Sequence, residues 1–314
     1  MALSSNKVAV ACAQFAAGSW DSSVNEARAE ELVREAAGKG ANIILLQELF
    51  QTPYFCQDQK QELFKLAQPF EDHPTLLRFS RLAAELGVVL PISYFERANN
   101  SFFNSIAVYD ADGSFLGHYR KTHIPDGEGY QEKFYFNPGD SGFRVFKTKF
   151  CTIGIAVCWD QWFPESARAL ALQGAEVLFY PTAIGSEPQD PRINSYPHWC
   201  RVMQGHAGAN LTPLVASNRV GLEKMSRSEI TFYGGSFIAG ATGEIHAQIG
   251  TRTGCKDGCI DPEPERIEGV AVVTFDLESI RWQRASWGLF RDRRPDMYGP
   301  LMTSDGSIRP PSCC

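Results

Sequence analysis

No apolar run in the 314 residues approaches the roughly 20 needed to cross a bilayer, so no membrane-spanning helix is expected. Positive charge is in short supply. Thirty Lys and Arg against 36 Asp and Glu leave a net charge of −6, which argues against nucleic acid as a main partner because phosphate contacts need concentrated Lys and Arg. The same acidic balance fits a cationic small molecule. The opening Met1-Ala2-Leu3-Ser4-Ser5-Asn6-Lys7 lacks the apolar stretch of a secretory signal. The nine cysteines are odd in number and scattered, which is not the pattern of a disulfide framework. A reducing compartment, the cytoplasm, is therefore expected. His73, His118, His123, His198, His206 and His246 show no ligand spacing with acids or thiols, so neither a metal nor another cofactor is expected. No Pro/Gly/Ser-rich linker is long enough to divide the chain. What the chain does have is apolar content: 44% hydrophobic residues against 21% charged can bury one sizeable core.

Periodicity predicts alternating strands and helices. Strands are expected at Lys7–Gln14, Ala41–Gln47, Val88–Phe95, Cys151–Val157, Glu176–Pro181, Thr212–Ser217, near Thr231–Ile238, and at Val270–Asp276. A hairpin is expected from Phe102–Asp110 and Ser114–Lys121, joined at Ala-Asp-Gly. Helices are expected at Ser22–Gly38, capped by Ser22 or Ser23, and at Pro74–Leu86, Pro164–Leu172 and Trp199–Ala209. The segments Gly40-Ala41-Asn42-Ile43-Ile44-Leu45-Leu46 and Gly174-Ala175-Glu176-Val177-Leu178-Phe179-Tyr180 resemble one another, and each follows a helix and opens a strand. Two pseudo-equivalent αβ halves within one α/β layered domain are the expectation. The tail after Arg281 reads as irregular and suited to packing against a neighbour.

Three polar residues stand at the ends of predicted strands. Cys158 closes Thr152-Ile153-Gly154-Ile155-Ala156-Val157 and precedes Pro164, which suits the first turn of a helix. At such a junction outward-facing N–H groups are expected to lower the cost of a thiolate. Glu48 ends the apolar strand Ile43–Gln47, where partial burial would raise its pKa into the range of a general base. Lys121 ends the hairpin's second strand and could pair with Glu48 and donate to an oxyanion. Taken alone, each reads as an ordinary structural residue. Layered α/β folds, however, gather strand ends on one edge, and thiol, carboxylate and ammonium together are the parts acyl transfer requires.

The segments Leu46-Gln47-Glu48-Leu49-Phe50, Tyr119-Arg120-Lys121-Thr122-His123-Ile124-Pro125 and Gly154-Ile155-Ala156-Val157-Cys158-Trp159-Asp160 resemble the Glu-Lys-Cys signature of the nitrilase superfamily of carbon–nitrogen hydrolases. The resemblance covers about residues 7–280, leaving 281–314 as a C-terminal extension expected at a subunit interface. Three longer runs resemble the branch that hydrolyses N-carbamoylputrescine in polyamine synthesis: Gly129 to Gly139, Pro181 to Pro188 and Trp287 to Pro295. The fold implied is a four-layer α-β-β-α sandwich, assembled as a dimer or larger homo-oligomer. Departing from the family is Arg252 to Cys259, which reads as an inserted surface loop with free thiols at Cys255 and Cys259. Cys313 and Cys314 are expected to be open to oxidation.

The resemblance implies that Glu48 deprotonates Cys158 and that the thiolate attacks the ureido carbon. Lys121 and the backbone N–H of Trp159 or a neighbour would then hold the oxyanion. A second carboxylate is carried onto Glu132, with Glu128 as the alternative. The far end of the substrate is an ammonium on a four-carbon chain and calls for an apolar slot closed by a carboxylate. Glu187 is the first choice for that role and Asp190 the second, with Tyr54, Tyr130 and Trp159 lining the slot. Rival readings are a neighbouring ureido, amide or nitrile hydrolase and a silent scaffold with the same fold. A carboxylate-bearing substrate would want an Arg where this loop offers Glu187 and Asp190.

Overall fold

The computed structural model describes residues 6–250 and 268–307. Cys255, Cys259, Cys313 and Cys314, and with them the proposed insertion, lie outside the described residues.

Side-chain alternation builds the layers. In β1 (Lys7–Gln14) the large residues Val8 and Val10, with Cys12, face one way, while the small Ala11 and Ala13 face the other. In β2 (Ile43–Leu45) Ile43 and Leu45 join the first face and Ile44 the second. Both faces are therefore covered, the mark of a sheet buried within a sandwich. β2 runs parallel to β1, and a bridge from Ile43 to Val89 carries the sheet onward to β3 (Leu90–Ala98), β4 (Ser101–Tyr109) and β5 (Phe115–Arg120). Helices α1 (Ser22–Gly38) and α2 (Pro74–Leu86) cover its outer face through Leu32, Val33, Leu76 and Phe79.

The second half repeats the plan. β6 (Val145–Lys147), β7 (Thr152–Ile155) and β8 (Val177–Thr182) form one side of a six-stranded sheet. β9 (Leu214–Asn218), β12 (Phe237–Ala239) and β13 (Ile245–Gln248) extend it, with β10 (Val220–Lys224) and β11 (Glu229–Tyr233) as a separate hairpin between them. Ile153, Ile155, Val177, Phe179 and Val215 meet Val8, Val10 and Ile43 between the two sheets. Leu178, Tyr180 and Leu214 face α3 (Pro164–Leu172) and α4 (Tyr196–Asn210) on the outside. The result is the α-β-β-α sandwich expected. The two similar segments behave alike in detail. Gly40 and Gly174 both take positive φ, Asn42 N donates to Ala9 O at 2.7 Å, and Glu176 N donates to Thr152 O at 2.8 Å. Each therefore delivers a parallel strand beside its predecessor. β14 (Gly269–Asp276) pairs antiparallel with β1.

Some expectations need correction. Asp21, not Ser22 or Ser23, caps α1, accepting from Ser23 N at 3.0 Å. The strand expected near 231–238 is two strands, because Gly234 and Gly235 both adopt a φ of 68° and turn the chain. The tail is not irregular from Arg281: helix α5 runs Leu277–Trp287 from an Asp276 cap to Gly288, crossing the expected boundary at 280/281. Among the described residues no helix is long and apolar enough to cross a membrane.

Candidate active site

Two of the three strand ends turn sharply where they deliver their polar residue. Past β2, Leu49 takes a left-handed φ of 47° and donates its N–H to Ser93 Oγ at 2.9 Å, leaving Glu48 pointing out of the sheet and fully buried. Lys121 follows β5 directly and is tied at both backbone atoms: its N–H donates to Asn104 O, and its carbonyl accepts from Gly139 N, both at 2.8 Å. Cys158, three residues past β7, has a φ of 43° and opens a tight 3₁₀ turn, Cys158–Trp162, before α3 begins at Pro164. Asp160 braces that turn, accepting from Val157 N at 2.9 Å, Tyr119 OH at 2.7 Å and His123 N at 2.9 Å. Glu132 opens a short turn, Glu132–Phe134, and has no exposed surface.

These side chains meet. The Lys121 ammonium lies 2.9 Å from Glu48 Oε1 and 2.7 Å from Glu132 Oε2. Asn104 Nδ2 donates to Glu48 Oε1 at 2.6 Å, and Tyr54 OH donates to Glu132 Oε1 at 2.6 Å. Glu48 Oε2 has no hydrogen-bond donor among the described residues. Cys158 Sγ lies 3.7 Å from Ala183 O. Burial alone would depress the Lys121 ammonium, but the Glu132 and Glu48 carboxylates outweigh it and hold its pKa well above the ordinary value. Burial pushes Glu132 up, with Lys121 opposing.

Cys158 departs from expectation. Burial, reinforced by the Glu48 carboxylate, holds its pKa well above that of a free thiol. Desolvation disfavours the thiolate here, so loss of the proton calls for a base beside the sulfur.

A cavity of about 200 Å³ opens above Cys158 and Glu132. Tyr130, Trp159, Trp162, Ile184 and Glu187 are among its walls. Tyr130 OH donates to Ser186 O at 3.1 Å and accepts from Gly185 N at 3.0 Å, which fixes the loop that carries Glu187. Asp190 is not among the cavity residues; it pairs with Arg192 at 2.8 Å on the surface. Tyr54 does not line the cavity either, being fully buried behind Glu132. Glu128 is exposed among the cavity residues, while Lys121 pairs with Glu48 and Glu132. Asp126 stands beside it, and no Lys, Arg or His is among the lining residues. Among the described residues no group of three or more His, Cys, Asp and Glu has the arrangement of a metal site.

Sequence reading missed the buried pair Arg219 and Glu223, which contact the Glu48 and Tyr54 backbones. Asp160 was likewise passed over, because an acid just after a strand reads as ordinary loop.

A carbon-nitrogen hydrolase family profile matches residues 9–284. The chain is 60% identical over 306 residues to N-carbamoylputrescine amidase of Arabidopsis thaliana, covering 96% of this chain and 97% of that one. It is 48% identical over 278 residues to citrullinase of Francisella tularensis, covering 88% of this chain and 92% of that one. Among solved structures, a carbon-nitrogen hydrolase from Helicobacter pylori superposes with a TM-score of 0.83 at 38% identity, covering 95% of this chain and 99% of that one.

Proposed function

The chain belongs to the carbon-nitrogen hydrolase family, and from that premise we propose that it hydrolyses N-carbamoylputrescine to putrescine, ammonia and carbon dioxide. The observation that carries the reading is the pairing of a Lys121 held between two buried carboxylates with a cavity whose charged walls are all acidic. Glu48, through its unpartnered Oε2, takes the Cys158 proton as sulfur attacks the ureido carbon. The oxyanion is stabilised by Lys121 and by N–H groups of the turn that Cys158 opens. Collapse expels ammonia, protonated by Glu48, and leaves a thiocarbamoyl enzyme. Water activated by Glu48 then adds to that carbonyl and restores the thiol, releasing a carbamate that breaks down to carbon dioxide and putrescine. Glu132 orients Lys121. The aromatic walls take the four-carbon chain, and Glu187, with Asp126 and Glu128 nearby, receives the ammonium.

A carboxylate-bearing ureide such as carbamoyl-β-alanine would put like charge against Glu187. The test is release of putrescine and ammonia from N-carbamoylputrescine, with Cys158→Ala alongside and carbamoyl-β-alanine and citrulline as comparison substrates. Turnover of the cationic compound that is lost in the variant supports the reading. Preference for either carboxylate-bearing compound overturns the substrate assignment.

The compartment and assembly belong to the same proposal. Five free, buried cysteines among the described residues suit the reducing cytoplasm. Trp282, Trp287, Leu301 and Met302, exposed at the C-terminal end, suit contact with another copy of the chain in a homo-oligomer.

A further inference from the structure

The hairpin β10–β11 inverts the usual placement of polar and apolar side chains. Leu222 is 41% exposed, while Glu223 beside it is buried and reaches Arg219, which has no exposed surface. Burying an ion pair is costly, and well-packed apolar residues often replace one with no loss of stability. Stability alone is therefore a poor reason for this pair, and its contacts suggest another. Arg219 Nη1 donates to Glu223 Oε1 at 2.7 Å. Arg219 Nη2 donates to two successive carbonyls, Glu48 O at 3.1 Å and Leu49 O at 2.8 Å. These lie at the left-handed bend where β2 has ended and no strand partner is available to them. Glu223 Oε2 accepts from Tyr54 N at 2.5 Å, and the hydroxyl of that same tyrosine holds Glu132.

The contacts close a ring. From the Glu48 backbone it passes through Arg219, Glu223, Tyr54, Glu132 and Lys121, and returns to the Glu48 carboxylate. We propose that Arg219 and Glu223 are positioning residues that set both active-site carboxylates about Lys121, Glu48 through its backbone and Glu132 through Tyr54. The proposal rests on the reading of Glu48 as the base that activates Cys158. Neither residue of the pair lines the cavity, so substrate binding is not their task. Misplacing a reacting group by about 1 Å can cost on the order of a hundredfold in rate.

The experiment compares Glu223→Gln, Arg219→Lys and the double variant Arg219→Met/Glu223→Leu with the wild type in three measurements: thermal unfolding, steady-state kinetics on N-carbamoylputrescine, and the alkylation rate of Cys158 by iodoacetamide. Glu223→Gln keeps the shape but presents a donor to a ring position that requires an acceptor. It is expected to lower kcat roughly tenfold to a hundredfold while KM moves less than about threefold. Cys158 alkylation should slow with it. The double variant removes the buried ion pair but leaves the Glu48 and Leu49 carbonyls and the Tyr54 N–H without these partners, so kcat should stay low whatever its melting temperature. Wild-type kcat in Glu223→Gln, or recovery of kcat together with stability in the double variant, overturns the proposal. If the double variant does not fold, the kinetic split in Glu223→Gln decides alone. Alkylation needs no substrate, so a wild type that fails to turn over N-carbamoylputrescine counts against the substrate assignment, while the alkylation rates still judge the pair.

Discussion

A lysine without exposed surface has to be held by negative charge, and Lys121 has two carboxylates within 3 Å of its ammonium. With Lys121 charged, Glu48 and Glu132 can remain close together, and one Glu48 oxygen is left without a hydrogen-bond donor among the described residues. The residue whose role is most exposed to test is Glu187, because it touches no catalytic group. A hydrogen bond to a charged partner contributes about 1.5–3 kcal/mol, so Glu187→Gln is expected to raise KM for N-carbamoylputrescine by roughly tenfold or more. Because the reacting end is untouched, kcat should hold within about twofold. An unchanged KM would move the ammonium to Asp126 or Glu128. Glu48 and Cys158, ending apolar strands, and Lys121, ending the hairpin, were legible as a set of three strand ends rather than singly. Arg219, Glu223 and Asp160 were illegible because they act on backbone atoms, and which carbonyls a bend leaves unpaired becomes known only once the chain is folded.

At the scale of the element, the end of β5 is set by a loop crossing over it. Gly139 packs so closely that an added Cβ would stand 2.1 Å from Arg120 O and 2.6 Å from Lys121 O. Both contacts are to backbone, which cannot swing aside. Gly139→Ala must therefore push the strand end, and Lys121 with it, away from the two carboxylates. A loss of about 1–3 kcal/mol in stability is expected, with kcat falling by more than KM rises. Thermal melts and steady-state kinetics would show it, and a variant that melts and turns over like the wild type would mean that the loop yields instead. Helices such as Pro74–Leu86 and Pro164–Leu172 were legible because apolar spacing and Pro at the first turn agreed. The strands at Val145–Lys147 and Ile245–Gln248 were missed because three or four residues hold too little alternation to register. The strand at Val220–Lys224 was missed because its alternation is inverted, with Leu222 facing out and Glu223 in.

At the scale of the whole molecule, burial reaches histidines as well as the active site, and that makes stability depend on pH. His73 precedes Pro74 at the start of α2. Its ring is nearly buried edge-to-face against Tyr94, its Nδ1 has no hydrogen-bond partner among the described residues, and burial lowers its pKa from 6.5 to about 4. A proton there would also add positive charge at a helix N-terminus, where the dipole disfavours it. Above pH 6.5 the ring is neutral in both the folded and the unfolded chain and contributes nothing to the pH dependence. As pH falls below 6.5 the unfolded chain takes up the proton while the folded chain does not, so stability declines until about pH 4, where the folded ring also protonates. At about 1.4 kcal/mol per pKa unit, the loss over that window is on the order of 3 kcal/mol. His118 and His206, also lowered by burial, act in the same direction. Glu132 acts in the opposite one: its raised pKa lets the fold keep a proton that the unfolded chain has already released, so its cost shrinks as pH falls. The wild-type curve sums these slopes, and the difference between wild type and His73→Asn isolates the histidine. Denaturant unfolding at pH 7.5 and at pH 4.5 should show the variant losing less stability on acidification than the wild type. Parallel curves would mean that His73 accepts its proton within the fold.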